Sequence, residues 1–321
     1  MGVPRRSEHR GPPRWPFFLP LAQPVTVFQT EVGEGDINIM AEITAAAVKD
    51  LRDRTGAGMM DCKKALIESN GDQERAIDLL RKTGVAKAVK RSGRVASEGM
   101  IHIATRDRSI SMVEVLSETD FVARSESFTE FSRTVAEGLF DFPISDGEIL
   151  AGDELLGVEG GEEINSQLDD LRAQVGENIQ VGRAIRYDPA ADSAGASYVH
   201  FGNKIGVLVE VSSVSAEAIE TARNVAMHVA ATNPSGLDPD DIPRDQVERE
   251  RAVLIEQAEE EGKPVEITEK IVEGRMRKFF EENALLWQSY VRDPEKKVKD
   301  LLTSSDEEIS VNRFVRFEVG S

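Results

Sequence analysis

The apolar residues of this chain repeat at helical spacing up to about residue 92, and from about Val95 they repeat every second residue. This change of period constrains the fold more than any other feature. A helical stripe and a strand face cannot be exchanged without turning side chains to the wrong side. Ahead of the change, residues 40–94 read as a three-helix unit. Thr44 caps a first helix through Arg54, with Val48 and Leu51 on one face, and Gly56-Ala57-Gly58 breaks it. A second helix runs to Ser69 with Met59, Cys62 and Leu66 at helical spacing, and Asn70-Gly71 ends it. Asp72 caps a third with Ala76, Leu79 and Leu80 inward. The basic, glycine-punctuated stretch 81–94 reads as a linker.

Beyond the change, Met100 to Ala104 and Ile110 to Leu116 alternate as strands around an Arg106-Asp107-Arg108 turn. Ser125 opens a helix carrying Phe128, Phe131, Val135 and Leu139. Residues 141–161 read as loop, and 162–176 as a helix with Leu168, Leu171 and Val175. Strands follow near Val181–Tyr187, Ser197–Phe201 and Lys204–Val211, the last two joined by a tight Gly202-Asn203 turn. Ser215 caps a helix through Ala231, stopped by Asn233-Pro234.

The segments 95–186 and 187–236 each combine a small antiparallel sheet with a helix. That points to a duplicated module, although no residue identity between the halves stands out. Residues 237–291 interrupt the second module. Two charged helices, 245–261 with Val247, Leu254 and Ala258 and 266–286 with Ile267, Ile271 and Phe279, flank a Gly262-Lys263-Pro264 turn. They read as an antiparallel helical hairpin with a narrow seam. Residues 292–321 return through Pro294 and a short helix to Leu302. A strand from Ile309 to Val319 then completes the second module. The expected class is α+β: three helices, two small sheet-plus-helix modules and an inserted hairpin.

The net charge is −19, from 58 acidic and 39 basic residues, which opposes non-specific binding to phosphate backbones and is compatible with life at high salt. The single cysteine, Cys62, excludes an intrachain disulfide and fits a reducing cytoplasm. No apolar run reaches the length of a membrane span. Residues 1–39 carry six prolines and cut their apolar stretch Trp15–Ala22 with two of them, so they make a poor signal-peptide core. They are expected to be a disordered extension or a translated leader ahead of a start at Met40.

Residue chemistry narrows the function further. Gly157-Val158-Glu159-Gly160-Gly161 lacks the Lys-Ser/Thr of a phosphate loop. His9, His102, His200 and His228 show no metal-ligand spacing, and Cys62 reads as a small core residue. Neither a covalent nor a metal-dependent enzyme is indicated, and no cofactor is called for. Met59 and Met60 are adjacent on a helix and cannot both face its core. In Ser117-Glu118-Thr119-Asp120-Phe121-Val122-Ala123-Arg124, a large aromatic stands beside a carboxylate at a strand–helix junction, where small polar residues are usual.

That octet closely resembles the signature of the bacterial elongation factor Ts family. Two further blocks resemble the same family in the same order: Leu51 to Leu66, containing Gly56-Ala57-Gly58-Met59-Met60-Asp61-Cys62, and Ala226-Met227-His228-Val229-Ala230-Ala231. The resemblance covers roughly residues 40–321. It implies an exchange factor that binds the GDP form of elongation factor Tu, displaces magnesium and promotes GDP release, with no covalent catalysis. It implies partner contacts at Arg52, Met59, Met60, Val175, Gly176, Met227 and His228, and a magnesium-displacing segment at Thr119, Asp120, Phe121 and Val122. For His228, mid-helix between Met227 and Val229, the residues alone favour a structural role. The three-helix unit resembles a ubiquitin-associated domain. A cytoplasmic protein without direct nucleic-acid or membrane contact is implied, with a homodimer or a two-to-two complex left open. Many relatives continue into a further helix that also grips the partner; this sequence stops at Ser321. An adaptor that uses the helical unit to hold a peptide is the competing reading, and it leaves Asp120-Phe121 unexplained.

Overall fold

The computed structural model describes residues 43–91, 93–260, 265–303 and 309–321. The expectations for residues 1–39 and for the Gly262-Lys263-Pro264 turn lie outside them. The chain opens with α1 (Ala45–Thr55), α2 (Met59–Glu68) and α3 (Gln73–Arg91), followed by β1 (Glu98–Arg106), β2 (Ser109–Ser117), α4 (Asp120–Ala123), α5 (Glu126–Gly138), α6 (Gly152–Leu156), α7 (Gly161–Val175) and β3 (Gln180–Tyr187). It continues as β4 (Ala194–Val199), β5 (Ile205–Val211), α8 (Ala216–Thr232), α9 (Arg244–Glu260), α10 (Val265–Asn283), β6 (Ser289–Tyr290), β7 (Asp293–Lys297), α11 (Val298–Leu302) and β8 (Val311–Glu318). This is a mixed α+β fold with small antiparallel sheets.

The first three helices take their ends from local chemistry. The Thr44 hydroxyl accepts the Ala47 N–H at 3.1 Å, and the Asp72 carboxylate accepts that of Arg75 at 3.0 Å. Val48, Leu51, Cys62, Ala65, Leu66 and Ala76 form their core. Helix α3 does not stop before the stretch expected to be a linker. It continues to Arg91 because Lys, Ala and Arg are good helix formers and Gly84 serves packing. A Cβ at Gly84 would lie 3.2 Å from that of Ala173, so the glycine lets α3 approach α7 closely.

The sheets β1-β2-β3 and β4-β5-β8 pack face to face. Ile101, Ile110, Met112, Ile185 and Tyr187 of the first meet Leu208, Val315 and Phe317 of the second. The outer face of the first sheet is covered by α5 and α7 through Phe128, Phe131, Val135, Leu168 and Leu171. That of the second is covered by α8 and α11 through Ala222, Val225, Val229, Val298 and Leu302. Each sheet is thus buried on both faces, which is why β2 and β5 read as near-continuous apolar runs.

The pairing of the sheets exposes a repeat that is not evident along the chain. Val113-Glu114-Val115-Leu116-Ser117 of β2 corresponds to Val209-Glu210-Val211-Ser212-Ser213 at β5. Arg183-Ala184-Ile185-Arg186-Tyr187 of β3 corresponds to Arg313-Phe314-Val315-Arg316-Phe317 of β8. The expectation of no residue identity between the halves is corrected here. The connections between paired strands differ so much in length that no constant offset aligns them. In the first sheet the register shifts across Glu114, and in the second just after Glu210. Arg183 Nε lies 2.9 Å from Glu114 Oε2 and Arg313 Nε lies 2.7 Å from Glu210 Oε2. Each guanidinium then stacks on an aromatic of the opposite sheet, Arg183 over Phe317 at 4.7 Å and Arg313 over Tyr187 at 4.1 Å.

Other boundaries differ from expectation. Strand β4 ends at Val199, because Gly202 and Asn203, both with positive φ, shape a loop from Phe201 to Lys204. The stretch 141–161 contains α6 and a β-bridge between Leu150 and Ala184. Between α9 and α10 the buried contacts are Leu254, Ala258, Val272 and Met276, and Ile267 is exposed. The short β6–β7 pair was not anticipated. Strand β6 is only two residues long, and those of β7 are mostly charged and exposed, so neither carries an alternating pattern. Among the described residues no helix is long and apolar enough to cross a membrane.

Candidate functional site

The junction after β2 is a helical turn, not the plain turn expected. Thr119 has extended backbone angles and caps α4: its hydroxyl accepts the Val122 N–H at 3.4 Å. The Ser117 hydroxyl donates to the Thr119 carbonyl at 2.9 Å. Ala123 is buried and Val122 packs on the core of the first sheet, so one turn of helix leaves Phe121 pointing away from it. Phe121 is 83% exposed and is not a core residue. Asp120 pairs with Arg124 at 3.2 Å on the same exposed surface.

Val175 and Gly176, the other contact expected in this half, end α7. Gly176 takes the left-handed conformation at φ 78° and donates its N–H to the Arg172 carbonyl at 3.1 Å. A side chain there would meet nothing, so backbone conformation alone calls for glycine. The following residue joins this end to α4. Glu177 accepts the Thr119 N–H at 3.0 Å and the Thr119 hydroxyl at 2.7 Å. In the opposite sense, Glu118 accepts the Asn178 N–H at 2.6 Å. The structure therefore brings 119–122 and 175–176 together.

The helical unit adjoins the same end of α7. A Cβ on Gly56 would lie 3.1 Å from Gln174 Cγ, which places the loop before α2 next to Val175. Helix α2 starts there, and both Met59 (45%) and Met60 (75%) are exposed, as is Arg52 near the end of α1. Met59 is more open than a shared core role allows, because Cys62 and Leu66 already fill the inward face.

Met227 and His228 lie on α8, on the outer face of the second sheet. Met227 is half-buried. His228 is fully buried, in keeping with the structural role that its mid-helix position favours. Its Nδ1 accepts the Val291 N–H at 3.2 Å, so its Nε2–H donates to Gln288 Oε1 at 2.8 Å. Burial pushes its pKa below the ordinary histidine value, partly offset by the Gln288 bond.

Sequence reasoning missed Glu118 and Glu177 as the residues that unite the site. Their partners lie 58 and 60 positions away along the chain, and no local pattern reveals such a crossing. It also missed Phe201, 97% exposed in the β4–β5 loop.

Comparison with known proteins gives the family. The profile of the elongation factor TS family matches residues 118–321, from the α4 junction to the last strand. The elongation factors Ts of Alkalilimnicola ehrlichii and Halorhodospira halophila are each 45% identical over 280 residues, covering 87% of this chain and 92% of theirs. That of Chlorobium phaeobacteroides is 40% identical over 289 residues, covering 88% of this chain and all of its own. The chain belongs to the elongation factor Ts family.

Proposed function

We propose that this chain, a translation elongation factor by family, is the guanine nucleotide exchange factor for elongation factor Tu. It would bind the GDP form, displace magnesium and release GDP so that GTP can enter. The observation that carries this reading is Phe121. It is an aromatic side chain left in solvent, next to Asp120, on a turn held to the fold by hydrogen bonds at Thr119 and by the buried Ala123. An apolar ring held out in this way suits a pocket on a partner, and the adjoining carboxylate suits the pocket's polar edge.

The mechanism is linkage between two ligands of one partner. Magnesium bridges the nucleotide phosphates and protein oxygens. A wedge formed by Asp120 and Phe121 would shift the elements that hold the ion, and the end of α7 at Val175-Gly176 would press beside it. Magnesium and GDP are weakened together, and GDP must weaken factor binding by the same ratio. No bond is made or broken, so the chain acts without covalent catalysis and without a cofactor of its own. Met59, Met60 and Arg52 supply a second grip, and Met227 a third on another part of the partner. His228 serves that third contact from within, by holding α8 to the segment around Gln288 and Val291.

The finer architecture belongs to the same reading. Residues 40–94 act as a ubiquitin-associated-like unit, the two sheets as duplicated modules, and α9–α10 as an inserted helical hairpin, in a cytoplasmic protein. The test is release of fluorescent GDP from purified elongation factor Tu, with and without this chain, across a magnesium series. Acceleration that shrinks as magnesium is removed is expected. Equal release rates with and without the chain at every magnesium concentration would overturn the proposal.

A further inference from the structure

We propose that Glu177, together with Glu118, is a positioning residue for nucleotide release, holding the turn that carries Asp120 and Phe121 at a fixed angle to the end of α7. This inference rests on the exchange reading above. Helix α4 is four residues long, too short to be stable by itself. Phe121 contributes no packing that would hold it.

Val122 and Ala123 seat the turn on the core of the first sheet, and a pair of crossed contacts between residues adjacent in sequence sets its angle to the end of α7. Glu118 reaches from the strand end to the Asn178 N–H at 2.6 Å. Glu177 reaches from the helix end to both the N–H and the hydroxyl of Thr119 at 3.0 and 2.7 Å. The Thr119 hydroxyl donates to Glu177 while accepting the Val122 N–H, so the carboxylate also sets the orientation of the cap. Asn178 is itself buried and donates its side-chain N–H to the Arg94 carbonyl at 2.8 Å, anchoring the crossing to the segment ahead of β1. Hydrogen bonds to an ionised carboxylate are the stronger kind, and two of them on one residue leave Thr119 little freedom. A ring ordered before docking avoids the ordering cost on contact.

The measurement is release of fluorescent GDP from elongation factor Tu by the full chain carrying Glu177→Ala, Phe121→Ala, Met60→Ala and the double variants. Glu177→Ala should slow maximal release by about tenfold to a hundredfold. The half-saturating concentration should move by less than about threefold, because the Met59–Met60 grip is untouched. Glu177→Ala combined with Phe121→Ala should be no slower than Phe121→Ala alone, since one residue acts through the other. Glu177→Ala combined with Met60→Ala should show the product of the single effects. Glu177→Gln retains an acceptor for the Thr119 N–H and should restore most of the rate.

Multiplying effects of Glu177→Ala and Phe121→Ala would overturn the positioning role. If Phe121→Ala is slow while Glu177→Ala matches the wild type, only the positioning role falls. If Phe121→Ala is as fast as the wild type, the exchange reading of this segment falls and takes the positioning role with it. Should Glu177→Ala fail to fold, Thr119→Val removes the hydroxyl relay alone and must show the same non-additivity with Phe121→Ala.

Discussion

Replacing Phe121 by alanine separates a docking role from a packing role. Full burial of a phenylalanine side chain stabilises a fold by about 1.5–3 kcal/mol. At 83% exposure little of that is realised in the free chain, so the variant should lose less than about half a kcal/mol. The corresponding fall in thermal midpoint is under about 2 °C for a protein of this size. At an interface the same truncation typically costs about 2–4 kcal/mol. If that cost falls mainly on the state with nucleotide displaced, GDP release slows by about tenfold to several hundredfold, with about 1.4 kcal/mol to each decade. The assay is stopped-flow release of fluorescent GDP from elongation factor Tu, alongside a thermal melt of the variant alone. Asp120→Ala should slow release too, with a deficit that shrinks when EDTA removes magnesium beforehand. A folded Phe121→Ala variant with undiminished exchange would remove this loop from the mechanism. A large drop in its thermal midpoint would show that the ring packs in the core.

Three further outcomes are expected. His228 and His102 are both held by burial below the ordinary histidine pKa, so the unfolded chain binds more protons near and below its own value of about 6.5. Stability is therefore full above that pH and is lost as pH falls from about 6.5 toward the folded-state values; the slope of thermal midpoint between pH 7.5 and 5.5 should flatten in His228→Gln. Arg313→Met leaves Glu210 buried without its cation and should cost about 3 kcal/mol in denaturant unfolding, whereas Glu210→Met with Arg313→Met should recover most of it. Replacing 247–278 by a short Gly-Ser linker should leave the sheets folded by circular dichroism and thermal melt. Extending the cut to 237–291 should not, because it removes Leu285 from the core and Gln288 from His228.

Much of the fold is legible in the sequence because its signals are local. Thr44, Asp72, Ser125 and Ser215 cap helices as their positions indicate. The two apolar runs of β1 and β2 on either side of a charged turn mark their pairing, with Asp107 at positive φ in that turn. What is not legible depends on contacts across the fold. The length of α3 is supported by Ala173, far along the chain. The repeat becomes visible only when β3 lies beside β2 and β8 beside β5. For the candidate site, the octet around Phe121 stands out as an anomaly of composition. The structural role of His228 is legible from its mid-helix position, but its partners Gln288 and Val291 are not, because they come from a segment 60 and 63 residues later.

The crossed stacking of Arg183 on Phe317 and Arg313 on Tyr187 bears on the order in which the chain can assemble during synthesis. The first sheet has all its strands once Tyr187 has emerged from the ribosome, yet its inner face has no cover. The cover comes partly from β5 and partly from β8, which ends at Glu318. Helices α9 and α10 emerge in between and can form on local contacts, while long-range strand pairing waits. A nascent chain halted before Val311 therefore lacks Val315 and Phe317 and leaves that apolar face only partly covered by β5, and its safe passage depends on rapid arrival of the final strand.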